Sequence, residues 1–272
     1  MSKQKPFLKW AGGKYRCLEH VLSSLPKATR LVEPFTGSGV VFMNTNYKSY
    51  LLADTNRDLI HLYQLLQQEK ETLIQTCETF FSPENNQSEQ YYAYRALFNR
   101  TTDQRLRACL FLYLNRHGYN GLCRYNRKGY YNVPFGRYNK PYFPKNELQR
   151  FCDKSQASTT FIQADFRETF SKAKLGDVIY CDPPYAPIQQ TSNFSSYSHQ
   201  KFGQEEQMEL AELAVKTASM GIPVIISNHD TAFTRTQYQH GRIHSFAVRR
   251  SINQNPLERK MIQEIIAVFG SH

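Results

Sequence analysis

Apolar and polar positions along this 272-residue chain fall into two rhythms. Short continuous apolar runs recur at "RLVEPF" (30–35), "SYLLAD" (49–54), "TTFIQAD" (159–165), "DVIYCD" (177–182) and "PVIISN" (223–228). Runs this short with no polar alternation fit strands buried on both faces, as in a parallel sheet. "HSFAVR" (244–249) and "QEIIAVF" (263–269) stand close enough in sequence to pair antiparallel. Between strands, "RDLIHLYQLLQQ" (57–68) and "EEQMELAELAVKTAS" (205–219) repeat apolar residues three and four apart, the spacing of one helix face. Alternating strands and helices predict an open α/β fold with a mostly parallel sheet and helices on both faces.

From about 70 to 155 the rhythm breaks. Helical patterns such as "RLRACLFLYLNR" (105–116) give way to "HGYNGLCRYNRKGYYNVPFGRYNKPYFPK" (117–145). Glycines 118, 121, 129 and 136 and prolines 134, 141 and 144 punctuate that stretch, so turns and hairpins are expected. The pattern reads as a helical and hairpin insertion, residues 57–156, in a core made of 1–56 and 157–272.

Composition narrows the partners. The formal net charge is +11 with a pI near 9.3, which favours a polyanion over other ligands. The basic residues concentrate in the insertion. From Asn115 to Arg150 there are Arg116, Arg124, Arg127, Lys128, Arg137, Lys140, Lys145 and Arg150, against the single acid Glu147. Tyr119, Tyr125, Tyr130, Tyr131, Phe135, Tyr138, Tyr142 and Phe143 interleave with them, as do several asparagines. Cations suit phosphates, amides and guanidinium forks suit base edges, and an aromatic ring fills the gap left by an extruded base. The six cysteines are scattered without a CxxC pair and read as reduced core residues. No apolar run approaches the roughly 20 residues of a membrane span. The opening "MSKQKPFLKW" lacks a signal-peptide core, so a cytoplasmic protein is expected.

Two strand ends carry the chemistry. "EPFTGSG" (33–39) places Gly37 and Gly39 where backbone turns sharply into a helix and approaches a ligand, and the next strand ends on Asp54. An acid there accepts hydrogen bonds from ribose hydroxyls. The third glycine of a dinucleotide fingerprint is missing from "GSGVVF", and no GxxxxGK[ST] loop exists, so S-adenosylmethionine fits better than NAD or a nucleoside triphosphate. The other strand end is "DVIYCDPPYAP" (177–187). Pro183 and Pro184 have no N–H, so the turn is rich in acceptors around Asp182, and Tyr185 adds a flat stacking face. Acceptors for an amino group beside an aromatic ring describe a pocket for an adenine-like base. A zinc deaminase would need HxE and PCxxC, and neither occurs.

These stretches resemble the DNA adenine N6-methyltransferases of the Dam family. "FLKWAGGK" (7–14), "EPFTGSG" (33–39), "LADTN" (52–56), "LNRHGYNGLCRYN" (114–126), "NVPFGRY" (132–138), "YCDPPYAP" (180–187), "ISNHD" (226–230) and "VRRSI" (248–252) occur in the family's order. The resemblance implies a Rossmann-like methyltransferase core and an inserted target-recognition domain. It further implies an adenine-specific enzyme that uses S-adenosylmethionine, flips the base out of double-stranded DNA and acts within GATC, with no metal. It implies that Trp10, Ala11, Gly12, Lys14, Pro34, Phe35, Thr36, Gly37, Ser38, Gly39, Asp54, Asp165, Phe166 and Asp182 line the cofactor site. The DPPY residues Asp182, Pro183, Pro184 and Tyr185 are then catalytic. Tyr119 and Asn120 would occupy the space of the flipped adenine, and Lys9, Leu122, Arg124 and Pro134 would read bases. Arg95, Arg116, Asn126, Asn132 and Arg137 would hold phosphates or position the duplex, with Tyr138 among the DNA contacts. A monomer is expected. The residues alone leave two other readings open: a non-catalytic DNA-binding regulator, and methyl transfer to RNA or to cytosine N4.

Overall fold

The computed structural model describes residues 3–185, 202–249 and 261–270. Ala186 and Pro187 of the DPPY stretch, and residues 250–252 of "VRRSI", lie outside the described residues. The strands are β1 (Arg30–Glu33), β2 (Ser49–Asp54), β3 (Thr159–Gln163), β4 (Asp177–Cys181), β5 (Val224–His229), β6 (Arg242–Arg249) and β7 (Met261–Phe269). The helices are α1 (Leu18–Ser24), α2 (Val40–Asn44), α3 (Arg57–Glu69), α4 (Glu71–Glu78), α5 (Ser88–Phe98), α6 (Gln104–His117), α7 (Lys145–Lys154), α8 (Phe166–Ser171), α9 (Gln204–Ser219) and α10 (Ala232–Gln237). Among the described residues no helix is long and apolar enough to cross a membrane.

The strands form one seven-stranded α/β sheet in the order β3-β2-β1-β4-β5-β7-β6. β1 pairs in parallel with β2 and β4, and β4 with β5. β7 pairs antiparallel with both β5 and β6, as the sequence spacing of the last two runs suggests. Every residue of β4 and of β5 is buried. Successive side chains point to opposite faces, so both faces of these central strands are covered, which explains the unbroken apolar runs. Strand order reverses between β1 and β4, whose register sets Val32 beside Ile179. The crevice outside the carboxyl ends of strands at such a reversal is where open α/β sheets receive ligands.

Two compact units emerge. The first comprises Met1–Gly13, Gly37–Asn44 and Asp54–Gln163. Its centre is α6, whose residues Ala108 to Leu114 are buried without exception. A helix apolar on all sides belongs inside a bundle, and α3, α4 and α5 each pack against it. Asn56 caps α3 by accepting from Leu59 N (3.1 Å), and Asp103 caps α6 by accepting from Arg105 N and Leu106 N (2.9 and 3.0 Å). Between α6 and α7 the chain forms a 3-10 turn, Tyr119–Gly121, and two isolated bridges, Gly118 with Phe135 and Tyr125 with Tyr131. The expected hairpins therefore take the form of a doubled-back loop without a regular ladder. The stretch 146–158 supplies most of α7.

The second unit comprises Lys14–Thr36, Thr45–Ala53 and Ala164–His272. It holds β1, most of β2, and β4 to β7, with α1, α8, α9 and α10. Asp165 caps α8 by accepting from Arg167 N (2.9 Å), and Thr231 caps α10 by accepting from Thr234 N (3.1 Å).

Candidate functional site

In the second unit the DPPY turn leaves the carboxyl end of β4. Asp182, 22% exposed at its side chain, receives the Lys14 ammonium at 2.8 Å and the Ser227 hydroxyl at 3.1 Å. The Tyr180 hydroxyl lies 3.0 Å from Ser227 Oγ, which extends the network inward. Burial raises the Asp182 carboxyl above its ordinary value, while Lys14 and Ser227 pull it back toward the anion. The result is a carboxylate fixed in one orientation at the rim.

Tyr185 is held at both ends. Its hydroxyl donates to Glu264 Oε2 on β7 (3.1 Å), and its ring meets His229 edge-on with centroids 4.6 Å apart. Lys14 Nζ lies 4.3 Å over the ring centroid, so one cation touches the carboxylate and the aromatic face together. Burial keeps the phenol well above its usual pKa, so it is a donor. The turn is pinned from below: the Pro184 carbonyl accepts from Gln207 Nε2 (2.7 Å). Gln207 Oε1 in turn accepts from Asn228 Nδ2 and from the Tyr238 hydroxyl (3.0 and 3.1 Å).

Beside β1, Phe35 stacks on the buried Phe166 ring (5.8 Å, 24°), and Phe202 meets both edge-on. The Asp165 carboxylate, besides capping α8, pairs with Arg167 (3.1 Å). Pro34 and Thr36 continue from β1, and Thr36 is buried, its amide donating to Ala53 O (2.8 Å).

In the first unit the glycine turn is built on Asp54. Gly37 N–H donates to Asp54 Oδ2 (3.1 Å), and Asn56 N–H donates to Oδ1 (2.9 Å). Burial raises this carboxyl, and the backbone donors oppose the shift. Gly37 has φ 49°, and a Cβ there would fall 2.9 Å from the Trp10 ring, so only glycine fits on both counts. The Tyr63 hydroxyl closes the turn from behind by donating to Gly37 O (2.6 Å). Ser38 is buried, Gly39 has φ 69°, and Ala11 and Gly12 are exposed beside the half-buried Trp10. A carboxylate beside a glycine turn and a half-buried indole are groups whose chemistry suits a nucleoside and an amino acid, the two parts of S-adenosylmethionine.

The same unit carries the basic, aromatic loop. Asn115 clamps Lys9 by accepting from its N–H and donating to its carbonyl (2.9 and 2.7 Å). The Lys9 ammonium donates to Arg116 O (3.2 Å) and lies 3.9 Å over the Tyr138 ring. Burial, with the Arg116 charge, lowers Lys9 to about 8. Arg116 Nε donates to Tyr142 O, and Arg95 Nη1 donates to Val133 O (3.0 and 2.9 Å). Arg124 is oriented by Asn132, donating to its Oδ1 (2.8 Å) and its carbonyl (3.2 Å). Asn126 Oδ1 accepts from Lys128 N and Tyr130 N (2.9 and 3.0 Å), shaping the loop tip. Tyr119 is exposed, and its amide donates to the Pro134 carbonyl (2.9 Å). Leu122 O accepts from the Tyr131 hydroxyl (2.9 Å). Asn120 and Arg137 have φ 52° and 54°, left-handed values that cost a non-glycine residue about 1–2 kcal/mol and often mark functional loops. Asn120 N–H donates to the Tyr138 hydroxyl (2.9 Å).

Ser227, Gln207 and Glu264 fall within strand and helix runs of the sequence that suggested no site role for them. Only "ISNHD" hinted at one of them, as a matched stretch without a role.

A mostly parallel α/β sheet of this order, with a glycine turn in one unit and, in the other, a fourth strand followed by a carboxylate and a tyrosine, fits a Rossmann-like methyltransferase. Comparison with known proteins narrows the class. A family model described as D12 class N6 adenine-specific DNA methyltransferase matches residues 10–252, and the chain belongs to that family. A "DNA adenine methylase" of Vibrio cholerae serotype O1 is 50% identical over 273 residues, covering 100% of this chain and 98% of that protein. Proteins of the same name from Escherichia coli K12 and Serratia marcescens are 48% and 47% identical, each over 99% of this chain and 96% and 100% of their own lengths. Family membership decides the readings left open by the residues: the protein is an enzyme, its substrate is DNA, and its acceptor is N6 of adenine. It carries with it S-adenosylmethionine as the methyl donor.

Proposed function

We propose that the protein methylates adenine within GATC of double-stranded DNA after extruding the base, with Asp182, Pro183, Pro184 and Tyr185 acting on it. The observation that carries this reading is the Asp182 carboxylate, oriented by Lys14 and Ser227 beside the anchored Tyr185 ring. Asp182 and the Pro183 carbonyl accept the two N6 hydrogens, and Tyr185 stacks on the ring. The N6 lone pair is delocalised into adenine and is a poor nucleophile. Acceptors set for a tetrahedral nitrogen favour the transition state over the planar ground state. Bound S-adenosylmethionine supplies an electrophilic methyl group on a sulfonium. Trp10, Ala11, Gly12, Lys14, the 34–39 stretch, Asp54, Asp165, Phe166 and Asp182 are the residues that would hold it.

Residues 57–156 form the target-recognition part in this reading. Lys9, Leu122, Arg124 and Pro134 read bases, while Tyr119 and Asn120 fill the vacated stack. Arg95, Arg116, Asn126, Asn132, Arg137 and Tyr138 hold and position the duplex. The family resemblance supports GATC as the target, and the protein acts as a monomer in the cytoplasm without a metal. Methyl transfer to duplexes that differ only in GATC tests the reading: labelling of the altered duplex at the cognate rate would remove it.

A further inference from the structure

The stretch from Leu122 to Asn126 alternates like a strand without belonging to a ladder. Arg124 and Asn126 are exposed, whereas Cys123 and Tyr125 are turned toward α3. The Tyr125 hydroxyl donates to Asp58 Oδ2 at 2.6 Å, and Asn56 Nδ2 donates to Cys123 Sγ at 3.2 Å. Asp58 is a buried acid in the first turn of α3, and Arg107 on α6 grips both of its oxygens (2.6 and 3.0 Å). Arg107 is itself fixed by donating to Phe98 O (2.7 Å) and by lying 4.2 Å over the Phe98 ring. Burial, with Cys123 and Asp58 close by, keeps the Tyr125 phenol protonated far above its ordinary range. On the returning side, Asn99 accepts from Tyr131 N and donates to Tyr131 O (2.8 and 3.0 Å).

Nothing in the chemistry of methyl transfer calls for this network. Its geometry serves the backbone that carries Arg124. A guanidinium fork discriminates a base edge only when its stem is held to about half an ångström. Asn132 orients the fork, and the residues flanking Arg124 on either side are tied to α3.

We propose that Asp58 and Tyr125 are positioning residues for sequence discrimination: they fix the backbone of Arg124 and so decide how well the protein tells its target from a one-base neighbour. The inference rests on Arg124 being a base reader, as set out under Proposed function. A buried network that served stability alone would change the melting temperature and leave discrimination intact.

The test is kcat/KM for the full-length protein on a GATC duplex and on duplexes carrying each single-base change in the site. Tyr125→Phe keeps the ring and removes only the hydroxyl. Its cognate-to-neighbour ratio is expected to fall about fivefold or more at the base that Arg124 reads, with saturating cognate kcat and S-adenosylmethionine affinity within about twofold of wild type. Asp58→Asn approaches the same readout from the other partner, and both melting temperatures are measured alongside. Because the effect passes through Arg124, the double variant with Arg124→Ala should discriminate no worse than Arg124→Ala alone. If Arg124→Ala collapses the ratio while Tyr125→Phe and Asp58→Asn keep it within about twofold of wild type, the positioning role is wrong. If Arg124→Ala itself leaves the ratio intact, the base-reader assignment falls, and this inference with it.

Discussion

Lys14 touches both the Asp182 carboxylate and the Tyr185 ring, so one charge orients the carboxylate and lies over the aromatic face beside it. Asp182→Ala is expected to lower kcat about 10²- to 10³-fold, the usual cost of one preorganised group that stabilises a transition state. Single-turnover methyl transfer checks it, and a near-normal rate would take Asp182 out of the chemistry. Lys9 offers a second test at this scale. With its ammonium lowered to about 8, Lys9 in the free protein is cationic below that pH and neutral above it. DNA favours the cation, so duplex affinity should hold below about pH 8 and weaken as pH rises through it, with net uptake approaching one proton on binding. Anisotropy titrations from about pH 7 to about pH 9.5 should show this slope, and Lys9→Gln should flatten it. Asp182 and Tyr185 were legible because four adjacent residues carry their own chemistry. Ser227, Gln207 and Glu264 were not, since each serves the turn only across strands or from α9, a proximity no local pattern encodes.

Among elements, the strands were readable wherever burial on both faces left an uninterrupted apolar run. The run 49–54 matches β2 end to end, and α3 extends the periodic stretch 57–68 by one residue. Differences fall at both ends of strands: the runs at 30–35 and 177–182 end as strands at Glu33 and Cys181, where proline or a loop-forming acid follows, the run at 159–165 ends at Gln163, and β6 and β7 each begin two residues before their runs. In residues 117–145 the turns were readable from glycine and proline, whereas the pairing was not, since backbone bonds such as Asn132 N to Arg124 O (3.0 Å) are joined by side-chain bonds from Asn99, Asn132 and Tyr131 that no local pattern encodes. The glycine turn gives the sharpest prediction at this scale. Gly37→Ala places a Cβ against Trp10 at a left-handed φ, so it should cost about 1–2 kcal/mol from the backbone alone, with steric displacement added. Thermal unfolding should register that loss, and calorimetry should show weaker S-adenosylmethionine binding. An unchanged melting curve with full cofactor affinity would mean the turn relaxes freely.

For the whole molecule, an excess of eleven positive charges makes DNA binding salt-dependent, and the surplus lies mostly in 115–150. Arg137→Ala should weaken binding to cognate and unrelated duplexes alike and reduce the slope of log K against log salt by about 1. Arg124→Ala should leave most of that slope while relaxing specificity by about 1–3 kcal/mol at one base. Identical behaviour of the two variants on a salt series and a panel of altered sites would erase the division into readers and phosphate contacts. The methyltransferase class was visible in the sequence because its two motifs sit at strand ends, where fold and chemistry coincide. The target sequence was not visible in composition or spacing, since readout depends on how a loop is held. The most direct measurement is transfer of tritiated methyl from S-adenosylmethionine to a duplex containing GATC and to the same duplex with that site scrambled, followed by nucleoside analysis. The account predicts label in N6-methyldeoxyadenosine from the GATC duplex alone. Label in N4-methyldeoxycytidine, or equal labelling of the scrambled duplex, would contradict it.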